Sequence, residues 1–342
     1  MMNWKLDKTL LHSNFAPLEA TWHTVLTNDG YQLQMLRLST PNTQSERPIL
    51  LIHGCMMNCQ AWYASNSPQS SIVHQLVQAG WTDIWLANGR GNRFSRGHSK
   101  FEATSTDYWS FTLENSAVAD VEAYLRCISQ SCDSKAAPHV IAFSQGTAML
   151  LAYLSQKKLQ WPIEKAALLA ATALPGKSKT INWISQLDRT MLKEAFGNSN
   201  ALLEESMTFL EHAFPRWLYA WTLKVCMRSL FGWTFANLKN ASPDIWRQLY
   251  CTTSVALICN WFQIMQSNKF PWDISRIQGG ENLAFFFGGK DSLSDAKYIL
   301  KRIPQSCKHF IIQEYEHLDF LWSDNNNSTL FPHLLQHLSG GK

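Results

Sequence analysis

The chain of 342 residues lacks the features that mark membrane-spanning, secreted and nucleic-acid-binding proteins. It has no apolar run that approaches the roughly 18 residues of a transmembrane helix. Its N-terminus contains no apolar segment of the kind that secretory signals carry, so we expect a cytoplasmic protein. Charged residues make up 16% and form no basic cluster, and the net charge is only +4, so we do not expect nucleic-acid binding.

Cysteine pairs of the kind that hold zinc are also missing. The chain has eight cysteines, but no two of them form a C-x-x-C pair. Because no secretory signal is visible, we interpret all eight as free thiols. We therefore expect no metal centre and no bound cofactor.

Apolar and aromatic residues, by contrast, are plentiful. Apolar residues make up 46% of the chain, which includes 15 Trp and 18 Phe. This is the composition of a globular protein with a large core. The length fits one large domain with an insertion or two ordinary domains.

Short strand patterns alternate with helical patterns over much of the chain. A hairpin comes first, because residues 21–27 and 31–38 flank an Asn-Asp-Gly turn at residues 28–30. Further strands, most of them continuous apolar runs, are predicted at residues 48–52, 83–87, 139–143, 165–171, 283–287 and 309–313. Since helical patterns separate them, we predict an α/β protein with a mostly parallel, doubly wound sheet.

The alternation stops between residues 174 and 277, where helical, aromatic-rich segments replace it. We predict that residues 174–277 form an inserted helical cap, or lid, and that residues 1–173 and 278–342 form the two parts of the core. Pro215 is expected to divide the cap's apolar stripe between two helices. The stripe consists of Met207, Leu210, Phe214, Trp217, Trp221 and Val225. It either packs within its own domain or lines an apolar substrate tunnel.

Residues 142–146 read Ala-Phe-Ser-Gln-Gly and continue a predicted strand into a predicted helix. The pattern is that of the G-x-S-x-G nucleophile elbow, with Ala142 in place of the first glycine. In such an elbow a tight turn holds the hydroxyl, here that of Ser144, beside free N–H groups at a helix N-terminus. A buried, unreactive serine in a strand-to-helix turn is the alternative interpretation.

A serine nucleophile needs an imidazole base, and the imidazole needs a carboxylate that fixes its tautomer. Asp291 follows the predicted strand at residues 283–287, and His317 follows the one at residues 309–313. The order Ser, Asp, His and the position of each at a strand end are typical of a catalytic triad in this kind of sheet. We therefore predict that Ser144, Asp291 and His317 form such a triad.

Three other residues compete for these roles. Asp295 and Asp324 are alternative acids, and His309 is the nearest alternative imidazole. However, Asp295 falls inside a predicted helix, and His309 begins a strand rather than following one. Neither position suits a catalytic side chain as well as those of Asp291 and His317.

An oxyanion formed at the attacked carbonyl needs preorganised donors. We predict that the backbone N–H groups of Gln145 and Cys55 supply them. A backbone donor needs no particular side chain, so we do not expect Cys55 to be a nucleophile. His53, two residues before Cys55, is expected to shape its turn rather than to bind a ligand.

These motifs resemble the acid lipase family of α/β-hydrolases, which includes lysosomal acid lipase, gastric lipases and fungal steryl ester hydrolases. Residues 80–98 resemble the family signature G-Y-D-V-W-L-x-N-x-R-G-N-x-x-S-x-x-H, and the blocks that begin at Ser144, Gly288 and His317 resemble its catalytic blocks. The segment between Phe270 and Leu283 is shorter than in the family. The resemblance implies an α/β-hydrolase fold with a lid, a Ser/Asp/His triad at the three positions above, and activity on fatty-acyl esters.

We therefore predict a serine hydrolase that cleaves carboxylic, fatty-acyl esters of lipids through an acyl-enzyme. An acyltransferase or thioesterase with the same triad is the main alternative, and a non-catalytic binding protein on the hydrolase scaffold is another. The expected partner is a small-molecule lipid ester. Contact with a membrane or lipid-droplet surface through the cap aromatics is a further hypothesis.

Overall fold

A computed structural model describes residues 18–40, 47–66, 68–132, 136–176, 178–186, 190–191, 201–247 and 249–340. One nine-stranded sheet forms the centre of the molecule. Its strands are β1 (Glu19–Leu26), β2 (Tyr31–Ser39), β3 (Ile49–Ile52), β4 (Asp83–Ala87), β5 (Gly97–His98), β6 (His139–Phe143), β7 (Ala166–Leu169), β8 (Leu283–Gly288) and β9 (Lys308–Ile312).

The sheet combines an antiparallel edge with a parallel centre. Its order is β1-β2-β4-β3-β6-β7-β8-β9, and the short β5 pairs with β2. The hairpin β1–β2 and the pair β2–β4 are antiparallel, whereas every pair from β4–β3 to β8–β9 is parallel. The predicted mostly parallel α/β sheet and its N-terminal hairpin are therefore confirmed.

The central strands have the apolar sequences that their position demands. Every residue of β3, β4, β6 and β7 is buried, because helices cover both faces of the sheet. The twelve α-helices of the described chain are α1 (Ile72–Gln78), α2 (Leu113–Ser131), α3 (Gln145–Leu154), α4 (Lys179–Ile184), α5 (Glu204–Ala213), α6 (Arg216–Phe231), α7 (Pro243–Trp246), α8 (Val255–Ser267), α9 (Ala296–Leu300), α10 (Asp319–Trp322), α11 (Asn326–Thr329) and α12 (Phe331–Ser339).

Helix α2 starts later than its apolar spacing predicts. The spacing of Phe111, Val121 and Leu125 predicts a helix from Tyr108 to about Ile128. In the structure Tyr108–Ser110 form a separate 3₁₀ turn, and α2 begins at Leu113. Thr112 is the reason, since its side chain accepts from the N–H of Asn115 while the Asn115 side chain accepts from the N–H of Thr112. This reciprocal capping box fixes the start of the helix.

Helices α4–α8 lie between β7 and β8, in the region predicted to be a cap, and the break between α5 and α6 falls at Phe214 and Pro215 as expected. The prediction for the apolar stripe is wrong for its C-terminal half. Trp217 and Trp221 are 64% and 59% exposed, so they neither pack inside the cap nor line a tunnel. The stripe residues that belong to α6 lie on its outer side, whereas the buried residues of this helix are Tyr219, Ala220 and Leu223.

The N-terminal half of the stripe behaves as the packing interpretation requires. Met207, Leu210 and Phe214 are partly buried against one of the two large hydrophobic clusters. None of the helices in the described part of the chain has the length and apolar character that crossing a bilayer demands.

Candidate active site

Ser144 lies in a strained turn between β6 and α3. Its backbone has φ 52° and ψ −118°, a conformation that a residue with a side chain seldom adopts. Close packing around the turn holds it in place. A Cβ on Gly146 would lie 2.4 Å from the carbonyl oxygen of Ile52, so only glycine lets helix α3 approach β3 this closely. Ala142 is completely buried in β6, where its methyl group is accommodated.

The three side chains of the predicted triad form one chain of hydrogen bonds. Ser144 Oγ lies 2.7 Å from His317 Nε2, and His317 Nδ1 lies 2.8 Å from Asp291 Oδ2. The other carboxylate oxygen of Asp291 accepts from the backbone N–H of Leu293 at 2.8 Å. Since an ionised carboxylate only accepts, the proton of the neutral imidazole lies on Nδ1, and Nε2 is free to accept from the serine hydroxyl.

The strand ends explain why residues so distant in sequence meet. Ser144 follows β6, Asp291 follows β8 and His317 follows β9, and these strands are parallel and belong to one sheet. Their carboxyl ends therefore lie along the same edge. Ser144 keeps 7% of its surface exposed, while His317 keeps 2%. The arrangement is shielded from bulk water but leaves the nucleophile some access.

The competing acids and the competing imidazole lie elsewhere. Asp295 caps α9 and accepts from the N–H of Tyr298 at 3.0 Å. Asp324 pairs with the Asn66 side chain, and His309 is an exposed residue of β9. None of them hydrogen-bonds to Ser144 or His317 in the described chain.

Cys55 and Gln145 both belong to backbone segments close to Ser144. Gln145 is the first residue of α3, and an N–H at this position has no partner within the helix. Cys55 follows Gly54, where an added Cβ would lie only 3.1 Å from the Cβ of Ser144, so this loop passes directly beside the nucleophile. Burial raises the pKa of the Cys55 thiol to about 12, so the side chain is not a thiolate at neutral pH.

His53 organises the loop that carries Cys55. Its Nδ1 lies 2.7 Å from the carbonyl oxygen of Gly54, and its Nε2 accepts from the N–H of Gly89 at 3.0 Å. These two bonds assign the proton to Nδ1. Burial lowers the pKa of His53 to about 4, which keeps the ring neutral and preserves both bonds. The expectation that His53 shapes its turn agrees with these contacts.

A cleft partly open to solvent lies beside the triad, with Gln145 and Gly54 in its wall. Ser144 lies beside the cleft and is not part of its wall. The wall combines apolar side chains with a few polar groups. Its residues include Met56 and Met149 from the core and Thr253 and Leu257 from the region between β7 and β8. Such a mixture suits a ligand with an apolar chain and one polar group.

An ion-pair network centred on the buried Arg90 contributes to the wall of this cleft, and the sequence did not reveal it. Arg90 Nη2 lies 2.6 Å from Asp120 Oδ1, and Arg90 Nη1 lies 2.6 Å from Asp29 Oδ2. The guanidinium also lies 4.1 Å from the centre of the Tyr31 ring. Arg90 thereby ties the β1–β2 hairpin to α2 and fixes the loop that contacts His53. Arg90 belongs to the signature at residues 80–98, but the sequence did not reveal the roles of the individual residues in it.

Two aromatic rings contact the imidazole of His317, and the sequence revealed neither contact. Phe143 belongs to β6, whereas Trp233 comes from the chain between β7 and β8. No sequence signal links Trp233 to His317, because the contact joins distant parts of the chain.

In the part of the chain that the structure describes, no group of three or more His, Cys, Asp or Glu side chains is arranged to hold a metal ion. Within the described residues, none of the eight cysteines forms a disulfide bond.

Comparison with known families agrees with this architecture. A family model described as "alpha/beta hydrolase fold" matches residues 47–324, and one described as "partial alpha/beta-hydrolase lipase region" matches residues 16–66. The first match covers most of the chain. The chain belongs to the α/β-hydrolase fold family.

Within this α/β-hydrolase family, the chain is similar to proteins named as lipases. It is 28% identical to a probable lipase of Schizosaccharomyces pombe, a match that covers 92% of this chain and 73% of that protein. It is 25% identical to human gastric triacylglycerol lipase, with 94% and 88% covered. The resemblance to the acid lipase family, drawn from motifs, is confirmed.

Solved structures share the fold of this α/β-hydrolase. A soluble variant of monoglyceride lipase from Saccharomyces cerevisiae, in complex with a substrate analog, superposes with a TM-score of 0.58 at 13% identity, covering 94% of this chain and 96% of that one. An aryl esterase described as putative, from Burkholderia cenocepacia, gives a TM-score of 0.53 at 16% identity, with 93% and 98% covered.

Proposed function

We propose that this α/β-hydrolase is a serine hydrolase that cleaves carboxylic, fatty-acyl esters of lipids through an acyl-enzyme. The observation that carries the proposal is the hydrogen-bonded chain Ser144–His317–Asp291, with distances of 2.7 and 2.8 Å. A binding protein on the same scaffold has no need of a nucleophile, a base and an orienting acid in this geometry.

In the acylation step, Ser144 Oγ attacks the ester carbonyl carbon and its proton passes to His317 Nε2. Asp291 stabilises the resulting imidazolium through the bond to Nδ1. The carbonyl oxygen becomes an oxyanion and accepts from the N–H groups of Cys55 and Gln145, each donor being worth about 3 kcal/mol. The alcohol then leaves with the proton from Nε2, and the acyl group stays on Ser144.

In the deacylation step, water replaces the alcohol. His317 Nε2 takes a proton from the water, whose oxygen attacks the acyl carbon, and the same two N–H groups hold the second oxyanion. Ser144 Oγ leaves with the proton from Nε2, and the fatty acid is released. The free enzyme is regenerated, and no cofactor is consumed.

The lipid part of the proposal is supported by the cleft and by the relatives. Met56, Met149 and Leu257 give the wall the apolar character that an acyl chain requires. The relatives named above include a gastric triacylglycerol lipase. We propose that residues 174–277 act as the cap that encloses the chain of the substrate. A hydrolysis screen across triglyceride, steryl ester, short-chain ester and acyl-CoA tests the substrate class. Hydrolysis of short water-soluble esters alone would contradict it.

The exposed aromatic face of α5 and α6 suits a lipid surface. Phe209, Trp217 and Trp221 are 66%, 64% and 59% exposed, and the exposed Arg216 begins α6. Tryptophan prefers the boundary between apolar and aqueous phases, and basic residues favour anionic lipid. We expect flotation with anionic liposomes, and loss of flotation in Trp217→Ser/Trp221→Ser. Trp183→Ser is the matched control, since Trp183 is also exposed but lies on a different helix, α4. No flotation of the wild type would remove this part of the proposal.

An acyltransferase or thioesterase can use the same acyl-enzyme, and only the acceptor or the leaving group differs. Product analysis in the presence of a competing acceptor alcohol separates these activities. Free fatty acid as the main product supports the hydrolase, and transfer to the alcohol as the main reaction supports the transferase.

Location in the cytoplasm stays a prediction of the sequence, and imaging of the tagged full chain in cells tests it.

A further inference from the structure

An aromatic side chain from the chain between β7 and β8 lies nearly parallel to the ring of His317. The ring centroids of Trp233 and His317 are 5.6 Å apart and their planes differ by only 12°. Trp233 and His317 are 3% and 2% exposed, so water is excluded from the contact. We infer that Trp233 is a positioning residue of the proposed hydrolase: it holds the imidazole in line with Ser144 and stabilises its protonated form during the reaction. This inference rests on the proposed function.

The residue before His317 clamps the segment that carries Trp233. Glu316 Oε1 accepts from the backbone N–H and the hydroxyl of Thr234 at 2.7 and 2.8 Å, and its Oε2 accepts from the N–H of Phe235 at 2.7 Å. Glu316 is only 6% exposed. Hydrogen bonds to an ionised, shielded carboxylate are about twice as strong as neutral ones. The two residues after Trp233 are therefore tied directly to the His317 loop.

Further contacts fix the same segment from both sides. Arg228 on α6 donates to the carbonyl oxygens of Trp233 and Thr234, each at 3.4 Å. Asn237 donates to Asp319 Oδ2 at 2.9 Å in the His317 loop. Phe235 has a left-handed backbone, with φ 57°, which a non-glycine residue keeps only where its surroundings hold it. The segment therefore cannot leave His317 without breaking several bonds at once.

The stack has two consequences for proton transfer. A flat, buried neighbour resists rotation of the imidazole, so Nε2 stays directed at Ser144 Oγ. When His317 takes the serine proton, the π face within about 6 Å stabilises the new positive charge. The charged groups around the ring are Asp291, Glu316, Asp319 and Arg228, and none of them is altered when Trp233 is replaced.

The test compares Trp233→Phe, which keeps a π face, with Trp233→Leu and Trp233→Met, which keep an apolar cover without one. The pH profile of kcat/KM on a soluble ester is recorded for each full-length protein. We expect Trp233→Leu and Trp233→Met to lower kcat/KM about five- to twentyfold, with the loss in kcat, and to move the acid limb down by about 0.5 to 1 pH unit. Trp233→Phe should stay within about threefold of the wild type.

Trp246→Leu is the matched control. Trp246 is completely buried in the hydrophobic cluster that also contains Trp233. It contacts Phe235 and Trp322 but not His317. We expect it to lower the melting temperature without moving the acid limb. Equal acid limbs in the wild type, Trp233→Leu and Trp233→Met would overturn the inference, as would an equal shift in Trp246→Leu. If one variant does not fold, the other still gives the comparison. If instead Ser144→Ala retains wild-type ester hydrolysis, the proposed function fails, which is a separate result.

Discussion

Ser144 Oγ and His317 Nε2 are 2.7 Å apart, although 173 residues separate them along the chain. The parallel strands β6 and β9 bring them together, because each residue follows the carboxyl end of its strand. Asp291 reaches the same edge after β8. The proposed chemistry therefore depends on the sheet more than on any local sequence.

Replacing Asp291 by Asn should remove activity while leaving the fold intact. Asn keeps an oxygen that can accept from the N–H of Leu293, as Asp291 Oδ1 does at 2.8 Å. Its amide cannot stabilise an imidazolium and favours the wrong tautomer, so kcat should fall by about 10³- to 10⁴-fold. Steady-state ester hydrolysis measures this. Asp295→Asn is the matched control and should keep wild-type activity, since Asn is an equally good helix N-cap. Equal losses in the two variants would contradict the assignment.

Replacing Cys55 by Ala should leave kcat within about threefold of the wild type, because the proposed donor is the backbone N–H and not the thiol. The pKa of the thiol is raised to about 12 by burial, so Cys55 should also resist alkylation at pH 8. Cys226 is exposed and serves as the internal control. Mass spectrometry of iodoacetamide-treated protein should find Cys226 modified first. Rapid alkylation of Cys55 with loss of activity would speak against a purely backbone role.

Gly146→Ala should destabilise the elbow. The added methyl would lie 2.4 Å from the carbonyl oxygen of Ile52, and β3 cannot move without breaking its pairing with β6. We expect a loss of about 2 to 3 kcal/mol in the free energy of unfolding. Denaturant unfolding measures it. At Gly89 an added Cβ would lie 3.5 Å from His53 Cε1, an ordinary contact, so Gly89→Ala is the control and should lose much less.

The free energy of unfolding should fall as the pH falls from about 6.5 to about 4. Burial lowers the pKa of His53, His139 and His337 to about 4 in each case. In this window the unfolded chain binds more protons than the folded one. The free energy of unfolding therefore falls by up to about 1.4 kcal/mol per pH unit for each of these histidines. Burial raises the pKa of Asp319 to about 6, which acts in the opposite direction and offsets about one histidine. The three histidines outweigh it.

Thermal melting between pH 7 and pH 4.5 measures this dependence. His139→Gln removes one of the buried histidines and should make the loss of stability on acidification less steep. His309→Gln replaces an exposed histidine of β9 and should leave the slope unchanged. A stability that stays constant or rises on acidification would contradict the prediction.

The sequence predicted the sheet well, because its central strands are apolar on both faces. The runs at residues 48–52, 83–87 and 139–143 match β3, β4 and β6 to within a residue. Side chains at strand ends were also predictable, since the fold fixes the order Ser, Asp, His. Their catalytic roles stay predictions until the variants above are measured.

The features that the sequence did not reveal depend on contacts between distant segments. Periodicity located the helix α6, but it placed the buried face on Trp217 and Trp221, because spacing does not say which side meets the core. Tryptophan is amphipathic and tolerates exposure, so its presence was a poor guide to burial. The stack of Trp233 on His317 and the Glu316 clamp join segments about 80 residues apart, and no local pattern marks them.

The central claim is that the Ser144 hydroxyl is the activated nucleophile. Peptide mapping by mass spectrometry after treatment with a fluorophosphonate, with residual ester hydrolysis recorded in parallel, tests it most directly. The account predicts a single adduct on Ser144, formed in proportion to the loss of activity, and neither adduct nor activity in Ser144→Ala. An unlabelled Ser144 in a protein that still hydrolyses esters, or full inhibition with the adduct on another residue, would contradict it.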